Sequence, residues 1–361
     1  VKAVVLLGGE GTRLRPLTYT TPKQLLPVAE VPMLERVLAH LAAHGVDEAV
    51  LSLGYRPDAF LAAYPGGEAA GVHLVYAVEP EPLDTAGAIG FAARHAGITE
   101  TFLVVNGDVL TDADTSALVA FHRSRAAAAT LQLTAVDDPS RFGVVPTDAD
   151  GRVVDFVEKP PPGTATTNLI NAGTYVLEPE VLEHIEPGRR VSVERETFPA
   201  LAARHAVFAL ASPAYWLDTG TPQAFLQANA DLLDGTRPGI PAPGAHQLCE
   251  GVWALGTPDA VGEVRGPTLL GDAARVAAGA SVTASVLGAG SVVEAGARVE
   301  GSVLLPGARV AAGAALAGSI LGRRAVVSEG CEVTSTVVGD DFTVPAGSHL
   351  ADDRVPAETA P

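Results

Sequence analysis

The chain has 361 residues, more than one hydrophobic core comfortably serves, so two domains are expected. A formal net charge of −18 argues against non-specific binding to nucleic acid or to an anionic membrane surface, and no run approaches the ~18 apolar residues of a membrane span. Cys249 and Cys331 lie far apart without metal-ligand spacing and read as reduced thiols of a cytoplasmic protein.

The first apolar run, "VKAVVLL" (1–7), is too short for a signal peptide and is followed at once by Glu10, Arg13 and Arg15; it reads as a strand. Next comes "GGEGTRLRPLTYTTPKQLLP" (8–27), the densest basic cluster of an acidic chain. Residues 1–36 carry Lys2, Arg13, Arg15, Lys23 and Arg36 against Glu10, Glu30 and Glu35, a local charge of +2. Such a loop suits a small anion better than a polymer, because glycine leaves backbone N–H groups open to phosphate oxygens. "GGEGTR" matches neither a Walker loop, which needs Gly-Lys-Ser/Thr, nor the GxGxxG fingerprint, since Leu14 stands where the third glycine belongs. Lysine usage sharpens the reading: only Lys2, Lys23 and Lys159 occur against twenty-one arginines. Lys23 and Lys159 therefore look like places that need a compact point charge rather than a planar fork.

Further along, "EAVLSL", "HLVYAV", "TFLVVNGD" and "TLQLTAV" read as strands, and residues 33–44, 85–95 and 114–125 as helices. This alternation predicts an α/β fold with a mostly parallel mixed sheet. Ligands of such folds collect at the carboxyl ends of strands, where the glycine loop and "NGD" (106–108) both fall. A Gly/Pro-rich stretch, "DGTRPGIPAPGAHQ" (234–247), reads as a linker. From Leu270 a 17-residue repeat follows, five times over, with aliphatic residues at its first, seventh and thirteenth places, at its seventeenth in the first four repeats, and glycine at its tenth (Gly279, Gly296, Gly313, Gly330 and Gly347). Two steps of six and one of five make a three-sided coil, and units this short must stack, so a parallel β-helix is predicted. The expected layout is an α/β domain over 1–233, a linker over 234–260 and a β-helix over 261–361. His349 is the one histidine within the repeats, which disfavours acyl transfer there and leaves the coils a role in oligomerisation or support.

The opening loop, "GGEGTRLRPLT…PK", resembles the signature of the sugar-1-phosphate nucleotidylyltransferases, and "LDTAGA" (83–88) and "NAGTYVL" (171–177) resemble most the mannose-1-phosphate guanylyltransferase branch. "EPLDTAGAI" (81–89), "NGDVL" (106–110), "FGVV" (142–145), "VEKP" (157–160), "NAGTYVL" (171–177) and "YWLDTGTP" (215–222) resemble further motifs in order. The resemblance implies a Rossmann-like catalytic domain, a left-handed hand for the β-helix, and attack by a sugar 1-phosphate on the α-phosphorus of a nucleoside triphosphate with release of pyrophosphate. It also implies roles. Leu7, Gly8, Gly9, Gly11, Thr12, Thr85 and Gly107 would bind the nucleotide; Arg13 and Lys23 would offset phosphate charge. Asp108 and Asp218 would hold Mg²⁺, a hard cation suited to carboxylates and phosphate oxygens. Lys159 would bind the sugar's phosphate, with Gly143, Glu158 and Asn171 at its hydroxyls. Taken singly, Asp108 could cap a turn, Asp218 could pair with an arginine, and Trp216 serves either to close the site or to pack.

Glu79 falls where thymidylyltransferases of the family carry a base-reading glutamine. Guanine presents two adjacent donors, which suit a carboxylate, so Glu79 or Glu81 is expected to read guanine. "LDTAG" departs from the Leu-Gly-Thr-Ala-Gly of guanylyltransferases: Asp84 replaces a glycine, tolerates the same dihedral, and adds bulk and charge. "KQLLPV" resembles the thymidylyl branch. The expected pair is GTP with mannose 1-phosphate; dTTP with glucose 1-phosphate, a heptose or cyclitol phosphate, and a non-catalytic regulatory subunit are the alternatives.

Overall fold

A computed structural model describes residues 1–357. Ahead of the C-terminal coils, the strands are β1 (Ala3–Leu6), β2 (Pro27–Val28), β3 (Val31–Pro32), β4 (Glu48–Leu53), β5 (Glu68–Ala69), β6 (Val72–Val78), β7 (Phe102–Asn106), β8 (Val109–Thr111), β9 (Ala129–Ala135), β10 (Gly143–Val144), β11 (Val157–Glu158), β12 (Leu169–Leu177), β13 (Val207–Ala211) and β14 (Trp216–Asp218). The helices are α1 (Met33–Ala43), α2 (Pro57–Ala63), α3 (Asp84–His95), α4 (Thr115–Arg125), α5 (Phe198–Ala202) and α6 (Pro222–Leu233). Two compact units emerge: Val1–Gly9 with Leu34–Leu217, and Glu10–Met33 with the chain from Asp218 onward.

The first unit is built on a ten-stranded mixed sheet in the order β11-β10-β12-β7-β1-β4-β6-β5, with β9 beside β12 and β13 beside β9. β1 lies parallel to β4 and β7, and β4 parallel to β6. β1, β4 and β7 are rich in Val, Leu and Ala and buried along most of their length, as parallel strands covered on both faces require. β12 enters antiparallel to both β7 and β9. Its ladder shifts register between Asn171 and Tyr175, and at that bulge Gly173 has φ 77° with no room for a Cβ beside the Asn106 side chain. Ala86, Ile89, Ala92 and Ala93 of α3 join Val4, Val50 and Val104 in the core.

In the second unit, β15 (His246–Cys249) and β16 (Val252–Ala254) open an eight-stranded sheet, while β17 (Asp259–Ala260) and β18 (Glu263–Arg265) open two six-stranded ones. From β16 on, successive strands pair in parallel, residue i with the residue one coil later, as in Val282↔Val299 and Val299↔Leu316. Three sheets of parallel strands are consistent with the left-handed β-helix, and the repeat's aliphatic places fill its interior: Leu287, Val293 and Val299 of the second coil are all within 2% of full burial. β16 and β17 already belong to these sheets, although the Gly/Pro-rich stretch points to a linker running to residue 260. The coil they open lacks the repeat's pattern, so backbone pairing alone reveals it. Inside, a hydroxyl ladder climbs the stack: Ser302 N–H donates to Ser285 Oγ at 3.1 Å, Ser319 N–H to Ser302 Oγ at 3.1 Å and Thr336 N–H to Ser319 Oγ at 3.0 Å. Each hydroxyl in turn donates to a carbonyl two residues back, so these buried polar groups are satisfied. Among the described residues no helix is long and apolar enough to cross a membrane.

Candidate functional site

In the first unit, the carboxyl ends of the parallel strands gather one group of the expected residues. Leu7 is fully buried and its N–H donates to Ser52 O at 3.0 Å, leaving Gly8 and Gly9 exposed beyond it. Gly107 N–H reaches Leu6 O at 3.1 Å, and a Cβ there would overlap the Leu7 side chain. That fit places the turn carrying Asp108 against the end of β1. The Glu79 carboxylate accepts from Ser52 Oγ at 3.0 Å and from Leu83 N at 3.2 Å, and a Cβ on Gly8 would lie 3.6 Å from Glu79 Oε1. Glu79 therefore lies beside the glycine loop, whereas Glu81 is exposed.

Asp84 takes φ 60°, the left-handed region the glycine of related sequences would occupy freely. Its Oδ1 accepts from Thr85 N at 2.8 Å and its Oδ2 pairs with Arg195 Nη2 at 3.1 Å. The added charge is thus turned toward an arginine. Thr85 Oγ1 donates to Glu194 Oε2 at 2.8 Å, which also accepts from Ser192 Oγ at 2.9 Å.

A second group forms around the β12 bulge. Gly143 and Glu158 are register partners across β10 and β11, and a Cβ on Gly143 would press on the Phe156 ring and on Glu158 Oε2. Lys159 has φ 47°, its N–H donates to Phe142 O at 3.0 Å, and its exposed Nζ lies 3.0 Å from Glu158 Oε1. Asn171 Nδ2 donates to the hydroxyl of the buried Tyr175 at 2.8 Å, and its Oδ1 accepts from Gly173 N at 3.0 Å. Trp216 Nε1 donates to Ala172 O at 2.9 Å, with its ring edge-on to Phe142 at 5.6 Å. Trp216 thus packs over the bulge that holds Asn171. Burial, with Glu194 and Glu158 nearby, pushes the Tyr175 hydroxyl well above its ordinary pKa, so it stays neutral. Glu194, Arg195 and Tyr175 escape the sequence reading. The signal that finds Glu194 is the acidic residue after Ser192 in "SVERE", a helical turn packed on the start of α3.

In the second unit, Gly11 (φ 64°) opens a short 3₁₀ turn, Thr12–Leu14. Thr18 Oγ1 donates to Gly11 O at 2.9 Å, and a Cβ on Gly11 would come within 3.2 Å of both the Thr18 and Lys23 side chains. Thr12 and Arg13 are exposed and Lys23 half-buried, so the loop presents its cations outward. Arg13 Nη2 stands 3.8 Å from Asp218 Oδ2, while Asp218 Oδ1 accepts from Gly220 N at 2.9 Å. A Cβ on Gly220 would overlap the Arg13 guanidinium, so glycine is what lets that side chain lie flat there.

Asp108 directly precedes β8, and Asp218 is the last residue of β14; β8 and β14 form a two-stranded sheet. Both offer only hard oxygen donors, and no group of three His, Cys, Asp or Glu suited to a metal occurs among the described residues. Carboxylate oxygens are hard donors of the kind Mg²⁺ accepts alongside water and phosphate.

The chain thus carries an α/β domain with a glycine loop after its first strand and a C-terminal stack of parallel coils. Residues 2–235 match the nucleotidyl transferase family and residues 264–358 the GMPPB C-terminal domain; the chain belongs to the nucleotidyl transferase family. It is 46% identical over 251 residues to the mannose-1-phosphate guanylyltransferase of Mycobacterium tuberculosis, covering 68% of each chain. It is 40% identical over 246 residues to mannose-1-phosphate guanylyltransferase 1 of Arabidopsis thaliana, covering 67% of each. Among solved structures, HddC from Yersinia pseudotuberculosis aligns with a TM-score of 0.55 at 30% identity, over 63% of this chain and 97% of that one. Nucleotidyltransferases of this family usually use a divalent metal ion.

Proposed function

We propose that the protein transfers a guanylyl group from GTP to mannose 1-phosphate, forming GDP-mannose and pyrophosphate. A phosphate oxygen of the sugar 1-phosphate bonds to the α-phosphorus, the α–β bridging P–O bond breaks, and pyrophosphate leaves. Two anions must meet in line, so the residues act by neutralising charge and by positioning. Gly8, Gly9, Gly11 and Thr12 cradle the triphosphate, and Arg13 and Lys23 offset charge on the α-phosphate and the departing pyrophosphate. Lys159 takes the sugar's phosphate, with Gly143, Glu158 and Asn171 at its hydroxyls and Trp216 backing them. Asp108 and Asp218 would hold Mg²⁺, which supplies Lewis-acid neutralisation of the phosphates.

The observation that carries the choice of base is the Glu79 carboxylate, held by Ser52 and the Leu83 N–H beside Gly8. A carboxylate has about four acceptor sites, so two occupied ones leave it able to take both donors of guanine. The relatives at 46% and 40% identity support the same base and sugar. A cytoplasmic homo-oligomer belongs to the same reading.

The test is pyrophosphate release with Mg²⁺, crossing GTP, dTTP, UTP and ATP against mannose 1-phosphate and glucose 1-phosphate. Turnover confined to GTP with mannose 1-phosphate is expected. Turnover with another pair overturns the base and sugar assignment, and silence across the grid points either to an unusual sugar phosphate, such as a heptose or cyclitol phosphate, or to a regulatory subunit.

A further inference from the structure

The segment Glu10–Met33 carries Arg13 and Lys23, yet its contacts group it with the β-helical part of the chain. The attachment follows one corner of the coils. Counting each coil from its leading aliphatic residue, Ala289, Arg323 and Asp340 all occupy the third place, in the second, fourth and fifth coils. Such residues stack at the turn where the chain passes from one side of the coil to the next.

Three points of the segment meet this ridge. Pro16 packs on Gly339, where a Cβ would come within 3.1 Å of the proline ring. Thr20 Oγ1 donates to Asp340 Oδ2 at 2.6 Å, and Asp340 Oδ1 accepts from Arg323 N at 2.7 Å, so one carboxylate joins loop to coil. Glu30 Oε2 accepts from Ala289 N at 2.8 Å. Glu30 forms the tip of the β2–β3 hairpin together with Ala29, and both take left-handed backbone angles (φ 65° and 45°) that hairpin turns ordinarily assign to Gly or Asn. Non-glycine residues persist there only when their surroundings over-determine them. Here Ala29 N–H donates to Asn229 Oδ1 at 2.7 Å, and Asn229 is itself fixed by Nδ2 donating to Phe225 O at 2.7 Å. Burial pushes the Glu30 carboxyl above its ordinary pKa, while the Ala289 N–H and Arg323 pull it back.

We infer that this corner ridge of the β-helix is the positioning device for the phosphate-handling loop, with Thr20 and Glu30 as its positioning residues. The inference rests on Arg13 and Lys23 acting on the triphosphate. Lys23 lies between the Thr20 and Glu30 anchors, and Leu26 N–H bonds back to Lys23 O at 3.1 Å, so the anchors bracket the cation with little slack. Misplacing a charge-neutralising group by about 1 Å costs up to ~10²-fold in rate, which a two-point anchor would prevent.

The test compares Glu30→Ala, Glu30→Gln, Thr20→Val and Thr20→Ser in the full chain, with Lys23→Ala as reference, by pyrophosphate release and thermal unfolding. Glu30→Ala and Thr20→Val should lower kcat by ~tenfold while the KM for the sugar phosphate stays within about twofold, because that substrate draws on residues of the other unit. Glu30→Gln and Thr20→Ser keep the acceptor or donor and should restore kcat. Thr20→Val leaves the Asp340–Arg323 bond intact, so it reads loop placement even if Glu30→Ala unfolds the coil. Unchanged kcat in Thr20→Val and in a folded Glu30→Ala, alongside an inactive Lys23→Ala, overturns the inference. An active Lys23→Ala instead overturns the underlying assignment of the loop.

Discussion

Two regions of this molecule depend on glycine for different reasons. In the opening loop, Gly11 has a left-handed φ of 64° and is also hemmed in, with Thr18 and Lys23 close to where a Cβ would stand. In the coils, Gly313 has nearly the same dihedral, 68°, but nothing lies within 4 Å of the equivalent position. The loop glycine keeps open a space that Thr18 and Lys23 border; the coil glycine merely turns a corner. One residue type thus serves shape in the coil and access in the loop. The difference lies in the surroundings, which decide what a substitution costs.

The sharpest way to break that contrast is to attack the loop's charge rather than its shape. Lys23→Ala should lower kcat by ~10²–10³-fold, the usual loss for one preorganised charge-stabilising group, with unfolding temperature unchanged. Lys23→Arg should fail to restore it, because a planar fork does not reproduce a compact point charge. Full activity in Lys23→Arg would mean that the chain's scarcity of lysine carries no functional information. Gly11→Ala comes next. It adds both a strained dihedral and close contacts, so it should destabilise the fold by ~1–3 kcal/mol and also lower kcat, read by denaturant unfolding and pyrophosphate release. A stable, active Gly11→Ala would erase the distinction between the two glycines.

A smaller effect separates the base from the phosphates. Glu79→Gln keeps an acceptor for Leu83 N–H but loses the charge-assisted pairing with two donors. The ratio of kcat/KM for GTP over dTTP should therefore fall by ~tenfold, at little cost in stability. An unchanged ratio would remove Glu79 from base reading and leave the triphosphate assignment standing.

What was legible in the sequence follows from how local each signal is. The coils were readable because every repeat restates the same requirement: a buried aliphatic residue per face and a left-handed corner at the tenth place. The first strands were readable because buried parallel strands are continuous apolar runs. The site residues were readable only through their ordered motifs, and the structure adds what spacing does not carry. Asp84 takes the dihedral expected of a glycine position, but its pairing with Arg195 joins residues 111 positions apart. Glu194 belongs to no apolar period, and its bonds to Thr85 and Ser192 are what tie it to the start of α3. Likewise, the coil opened by β16 lacks the repeat because its neighbour on one side is the β15 hairpin strand rather than another coil, which relaxes the pattern. Long-range pairing is invisible to periodicity, and functional sites are made of long-range pairs.

The mildest substitution tests the coil's half of the comparison. In Gly313→Ala the new methyl meets no atom within 4 Å, so the whole cost is the dihedral, ~1–2 kcal/mol for an L-residue held in the left-handed region. Each coil contributes to stability mainly through its neighbours, so such a loss in the third coil should lower the unfolding transition without dividing it in two. Gly313 touches neither the ridge at Ala289, Arg323 and Asp340 nor any residue assigned to substrate, so kcat and both KM values should stay at the parent's. A loss of activity at constant stability would show that strain in one coil reaches the loop. The coil glycines would then share the loop's role in positioning rather than stand apart from it.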